Sequence, residues 1–175
     1  MVIRPDVVER ALLSVAQRGR LLYLSPRGRP LNQSYAEELA SESCLTLLCG
    51  RYEGVDQRVL DAHDFEEVSI GDFVLSGGEI AAQCLMDACI RLLPGVMGNA
   101  RTVDEESFAQ NLLEYPHYTR PDTWEDNNGT PHSVPDVLKS GNHEKIRAWR
   151  YAKAEQLTKT RRPDLWERYL SAKSR

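Results

Sequence analysis

Three short segments constrain the fold of this chain more than anything else in it. They are Tyr23–Leu31 (YLSPRGRPL), Cys49–Arg58 (CGRYEGVDQR) and Ser69–Glu79 (SIGDFVLSGGE). Each follows an apolar run of strand length, and each concentrates glycine with polar residues. Loops of that composition at successive strand ends are what an open α/β sheet needs, because its ligands bind outside the carboxyl ends of the strands. Glycine there lets backbone N–H and C=O groups approach a flat heterocycle with no side chain between. None of the three matches a dinucleotide fingerprint or a phosphate P-loop, so they point to backbone contact rather than phosphate chemistry.

The segments between them supply the helices. Pro5–Arg18 opens on a proline, places Val8, Leu12 and Val15 on one face and ends before Gly19. Leu21–Leu24 reads as a strand, Asn32 caps a helix through Leu39, and Cys44–Cys49 is a second strand. Val55–Leu60 is a short helix, Phe65–Ile70 a third strand, and Gly77–Gly78 opens a long helix, Glu79–Leu93. This alternation predicts an α/β fold with a mostly parallel sheet flanked by helices. From Pro94 the pattern dissolves through Gly95, Gly98 and a polar run. Helical signal returns at Asn142, a capping residue, runs through Lys159, and resumes at Pro163 with Leu165, Trp166, Tyr169 and Leu170. The expected organisation is a domain over residues 1–97, a flexible linker over 98–113 and a small all-α domain over 114–175.

The charge distribution separates the two ends. The chain holds 22 Lys/Arg and 26 Asp/Glu, a net of −4, but residues 1–138 hold 11 against 22 while residues 139–175 hold 11 against 4. An acidic body with a tail of net charge 11 − 4 = +7 is a polyanion-binding candidate, since phosphate binding follows local charge. Within Tyr115–Arg120, Tyr115, His117, Tyr118 and Arg120 interleave aromatic and basic groups, as stacking on single-stranded bases requires. Lys145, Arg147 and Arg150 extend the basic set along the next helix, where Trp149 is expected in the core. No apolar run approaches the roughly 18 residues of a membrane span, and the charged start MVIRPDVVER does not resemble a signal peptide. The expectation is a cytoplasmic protein without a membrane partner. Cys44/Cys49 and Cys84/Cys89 lack metal-ligand spacing, and His143–Glu144 lacks the second histidine of a zinc-protease helix, so no metal site is expected.

Taken in order, YLSPRG, CGRYEGVDQRV, SIGDFVLSGGE, RLLPGV, ESF and YPHYTRP followed by VLKSGNHEKIRAWR resemble the bacterial tRNA (guanine-N1)-methyltransferases. These are trefoil-knot (SPOUT) enzymes, and the resemblance covers essentially the whole chain. It implies a deep-knotted domain holding S-adenosylmethionine, a C-terminal domain gripping tRNA, and a homodimer with active sites at the subunit interface. The methyl acceptor it implies is N1 of the guanine at tRNA position 37, beside the anticodon. Cofactor contacts implied by the resemblance fall on Tyr23, Leu24, Pro26 and Gly28 in the first loop, and on Gly50, Tyr52, Glu53 and Gly54 in the second. In the third they fall on Ser69, Ile70, Gly71, Phe73, Leu75, Gly77 and Gly78. Phe73 and Ala81 stand where the family often has tyrosine and proline. A requirement for magnesium is compatible with the resemblance, although no segment has the spacing of a magnesium cage.

Methyl transfer from a sulfonium to nitrogen is a direct displacement, so it needs in-line geometry rather than a covalent nucleophile. Guanine N1 carries a proton that a general base must take, and an arginine can stabilise charge developing on the guanine oxygen. The resemblance assigns Arg91 to the second role. The base position departs from the family pattern: an aspartate usually precedes Ser-Phe, and here it is Glu106, with Asp104 and Glu105 as competing neighbours. Relatives also carry a segment before the position of Met1, including a first strand and helix. The resulting expectation is impaired stability, and the alternative reading is an inactive tRNA- or cofactor-binding remnant.

Overall fold

The computed structural model describes residues 1–97 and 107–174, which divide into two compact units on either side of the intervening segment. In the first unit, helix α1 (Pro5–Ser14) leads into strand β1 (Arg20–Pro30), then α2 (Gln33–Ala40), β2 (Leu45–Cys49), α3 (Gln57–Ala62), β3 (Glu66–Ser69) and α4 (Glu79–Ile90). The sheet is parallel throughout, in the order β2-β1-β3. Leu24 sits opposite Cys49 on one side and Val68 on the other, so all three strands end at the same edge.

Alternation along β1 builds the two cores. Leu22 and Leu24 face one side of the sheet and join Tyr35 and Leu39 of α2, Val68 of β3, and Ala82, Leu85 and Cys89 of α4. Tyr23, one residue out of phase, faces the other side and packs with Val8 of α1, Val55, and Val59 and Leu60 of α3. Leu22, Leu39 and Leu85 are completely buried, each worth about 1.5–3 kcal/mol relative to exposure. At the amino end of the sheet the Arg20 guanidinium bonds Glu66 at 2.5 Å and Glu38 at 2.8 Å, and the Tyr35 hydroxyl donates to Glu66. Burial alone would raise the Glu66 pKa, but Tyr35 and Arg20 outweigh it and hold it below the usual carboxylate value.

Three boundaries differ from the sequence expectation. Helix α1 stops at Ser14, and Val15 is extended and exposed rather than on the core face. The chain must turn there to enter β1, and it does so through Gly19 at φ 59°, pressed against the Cys44 carbonyl. The first glycine-rich segment is largely strand. β1 pairs with β3 up to Leu24↔Val68, loops out over residues 25–28, and returns with Arg29↔Val68 and Pro30↔Ser69. Helix α4 ends at Ile90, and Leu92 and Leu93 continue as turns, their N–H groups donating to Cys89 and Ile90.

The second unit is not all-α. A short antiparallel hairpin, β4 (Thr123–Glu125) with β5 (Pro131–Ser133), precedes helices α5 (Asp136–Lys139), α6 (His143–Arg161) and α7 (Pro163–Lys173). Its turn is built by Asp126, whose carboxylate accepts the N–H groups of Asn128 and Thr130 at 2.9 and 3.0 Å. Asn142 caps α6 by accepting the Lys145 N–H at 3.0 Å, as its sequence position predicts. The hydrophobic core here is small: Leu112, Ala154 and Tyr169, flanked by Tyr115 and Trp166. Ser107–Leu113, assigned to the linker by sequence, lie against this core; the Leu113 N–H donates to the buried Thr158 hydroxyl at 2.8 Å. Polar contacts support it, with the Tyr169 hydroxyl at 2.6 Å from Glu155 and 2.5 Å from the Tyr151 hydroxyl. Burial and Glu155 push the Tyr169 phenol up to about 12.

Candidate functional site

Because all three strands end at one edge, the loops that follow them meet there. They enclose a cavity of about 380 Å³. The first loop contributes Tyr23, Leu24 and Pro26, the second Gly50, Tyr52, Glu53 and Gly54, and the third Ser69, Ile70, Gly71, Phe73, Leu75, Gly77 and Gly78. Every loop residue singled out by sequence lines the cavity except Gly28. That glycine instead presses on β3, where an added Cβ would lie 2.3 Å from the main chain of Glu67 and Val68.

The loops are bound to one another. The Gly78 N–H donates to the Gly50 carbonyl at 2.9 Å, and Arg51 forms a bridge with Gly77 while its guanidinium holds Glu79 at 2.8 Å. In the third loop the Ser69 hydroxyl donates to the Gly71 carbonyl and accepts the Gly71 N–H. Residues 1–3 pin the second loop from outside: the Ile3 N–H donates to Gly54, the Glu53 N–H to Met1 and the Asp56 N–H to Ile3. Tyr23 is only 6% exposed and forms a shelf beneath the second loop, its hydroxyl 2.9 Å from where a Cβ on Gly50 would sit. Burial raises its pKa, so it stays a neutral phenol. Tyr52 holds a left-handed φ of 61° on this loop, a local strain of the kind concentrated at ligand sites.

Sequence reasoning passed over Ser25, Arg27, Arg51, Val74 and Ser76, which also line the cavity. They sit inside the motifs, so their position was legible, but nothing in their type marks them as walls. Both cavity arginines are engaged, Arg27 with Glu67 at 3.0 Å and Arg51 with Glu79 at 2.8 Å. Glu53 is the third charged residue of the lining and is exposed. A glycine-rich cavity with its cations paired and an exposed carboxylate in its lining suits a nucleoside-sized ligand bearing positive charge rather than a phosphate.

Arg91 does not line this cavity. It is half-buried at the carboxyl end of α4, whereas Gly78 and Ala81 at the other end form part of the wall. From Glu79 to Arg91 the helical rise is about 18 Å. Glu106, with its neighbours Asp104 and Glu105, lies outside the described residues.

Of the aromatic and basic set, Tyr115, His117, Tyr118, Arg120 and Arg150 line a second cavity, within the second unit. Lys145 and Arg147 are exposed on α6 and do not line it. Trp149 is not in the core: it is half-buried, forms part of this second wall and meets Tyr118 edge-on at 6.0 Å. Among the described residues there is no group of three His, Cys, Asp or Glu side chains placed to hold a metal ion, and no helix is long and apolar enough to cross a membrane.

A parallel sheet with a cavity at its carboxyl edge is the ligand-binding arrangement of an open α/β protein. The family model described as tRNA (Guanine-1)-methyltransferase TrmD matches residues 1–168. The tRNA (guanine-N(1)-)-methyltransferase of Rhodospirillum rubrum is 57% identical over 175 residues, covering 99% of this chain and 71% of the relative. That of Cereibacter sphaeroides is 55% identical, covering 100% and 71%, and that of Ruegeria pomeroyi 52%, covering 99% and 71%. The chain belongs to the tRNA (guanine-1)-methyltransferase family.

Proposed function

We propose that this chain transfers the methyl group of S-adenosylmethionine to N1 of the guanine at position 37 of tRNA. The observation that carries the reading is the convergence of three strand-end loops on one glycine-rich cavity. Its volume of about 380 Å³ lies in the range of small-ligand sites. When bound, S-adenosylmethionine supplies the electrophilic methyl group. The glycines of the second and third loops would hold its flat base through backbone groups, and Glu53 would offset its positive charge. The Glu106 carboxylate takes the N1 proton, and the Arg91 guanidinium donates to the guanine oxygen. The second unit, with Tyr115, His117, Tyr118, Arg120, Lys145, Arg147 and Arg150, holds the tRNA.

The proposal includes a homodimer and a deep trefoil knot in the first unit. Helix α4 walls the cavity with its first turn and carries Arg91 at its other end, and in this proposal the Arg91 that reaches the guanine comes from the second copy. Leu85 and Cys89 of α4 are buried in the core, while Ile80, Met86 and Ile90 of the same helix are exposed, as are Leu93 and the loop residues Phe73 and Val74. In this proposal a second copy covers those exposed apolar side chains.

The test is methyl transfer from labelled S-adenosylmethionine to tRNA transcripts carrying guanine or adenine at position 37, with Glu106→Gln alongside. Transfer only to the guanine transcript, with turnover reduced about 10²–10⁴-fold in Glu106→Gln and cofactor binding retained, is expected. Methylation of the adenine transcript would refute the assignment. Cofactor and tRNA binding without turnover in the parent chain would make it the inactive remnant.

A further inference from the structure

We infer that the cavity of the second unit is a pocket for one unpaired RNA nucleotide, with the base stacked on the Trp149 ring beside Tyr118 and its phosphate at Arg120 and Arg150. The inference rests on the tRNA reading above and adds to it a specific site. The cavity holds about 310 Å³, room for one nucleotide and not for a run of them. Its floor is apolar, formed by Val134, Leu138 and Ile146. Its wall is aromatic: Tyr118 is 48% exposed, and Trp149 is half-buried on α6. A tryptophan and a tyrosine that meet edge-on and leave ring surface toward a cavity form a stacking platform that lacks its third member.

The rim is cationic. Arg120 and Arg150 line the cavity, and the Arg150 guanidinium lies 4.7 Å from the centre of the Tyr115 ring. Lys153 stands 5.9 Å over the Trp149 ring, adding positive charge beside the platform. Asp122 also lines the cavity and would repel a phosphate placed inside it, so the base takes the interior and the phosphate the rim. Base recognition of this kind works on unpaired nucleotides, because paired bases do not offer a ring face to protein side chains. The occupant is therefore a splayed-out nucleotide of the tRNA.

The experiment uses the full chain and tRNA transcripts assembled with a single abasic nucleotide stepped through the unpaired positions. Trp149→Ala is expected to weaken tRNA binding about 5- to 150-fold, the range of one base–aromatic stack, and Trp149→Phe to restore most of it. One abasic position should weaken the parent chain by a similar factor and weaken Trp149→Ala no further. Tyr118→Ala, at an exposed position, should couple to that same nucleotide and carries the test should Trp149→Ala not fold. Calorimetric titration of S-adenosylmethionine should be unchanged in both variants. If abasic losses add in full to the loss in Trp149→Ala and in Tyr118→Ala, or neither variant weakens binding, the pocket is not a nucleotide site, and the methyltransferase reading stands. A parent chain that binds the cofactor but no tRNA would overturn both.

Discussion

Replacing Gly28 with alanine tests the link between strand pairing and the cavity. The new Cβ would sit 2.3 Å from the Glu67 carbonyl carbon and the Val68 nitrogen. Ordinary contact requires about 3.5 Å, so residues 25–28 must lift from β3 by about 1.2 Å. The obstacle is main chain on the central pairing of the sheet, and it cannot swing aside as a side-chain tip would. Overpacking of this kind costs about 1–3 kcal/mol where side chains can adjust, and the upper end is expected here. The displaced segment carries Pro26 and Arg27, which wall the cavity. A shift of about 1 Å at a site that depends on in-line geometry lowers kcat/KM by roughly 100-fold. Urea denaturation and single-turnover methylation measure the two effects. Gly129→Ala is the control: its position has φ 77° and nothing within 4 Å, so it costs only the left-handed backbone strain, about 1–2 kcal/mol, with unchanged turnover. If Gly28→Ala were as stable and as active as the parent chain, the close packing of residues 25–28 on β3 would be wrong.

Other predictions follow from the same packing and electrostatics. Leu85→Ala empties a completely buried position between α4 and the sheet and should cost about 2–5 kcal/mol in chemical denaturation, whereas Met86→Ala in the isolated monomer should cost far less. Asp56, which caps α3 and pairs with Arg58, is held down to about 2, and Glu66 is held below its usual value. Both pKa values are lower in the folded state, so their stabilisation is complete above about pH 4.5 and is lost as pH falls toward 2; Asp56→Asn and Glu66→Gln should each flatten that decline in an acid titration followed by circular dichroism. In the proposed dimer, Arg91→Ala and Glu53→Arg should each be inactive alone, yet a one-to-one mixture should regain about one quarter of parental turnover, because half the dimers would be mixed and each would then hold one intact site. Absence of any recovery after subunit exchange would place Arg91 and the cavity in the same copy.

Much of the first unit is legible in the chain because its signals are local. Alternation in Leu22–Tyr23–Leu24 assigns each residue to a face, and Asn32 and Asn142 mark helix starts because a capping carboxamide acts only on N–H groups a turn away. The loops that meet at the cavity were also readable, since parallel strands joined by helices necessarily present their carboxyl ends together. The hairpin Thr123–Ser133 carried a usable sign in its Asp-Asn-Asn-Gly turn, masked by the surrounding prolines.

What the sequence could not determine depends on contact between segments distant along the chain. Helical periodicity shows that Trp149 has a face but not what lies over it, and the structure puts Tyr118 at its edge and a cavity beside it where core was expected. Composition marks Gly28 as small, while only the return of β1 onto β3 makes smallness necessary. The sequence sets Arg91 at the end of the long helix, while only the structure shows that the first turn of that helix walls the cavity and Arg91 does not. Spacing along a chain fixes neighbours within a helix turn or a strand pair; which surfaces meet is decided by how the elements pack, and that information exists only in three dimensions.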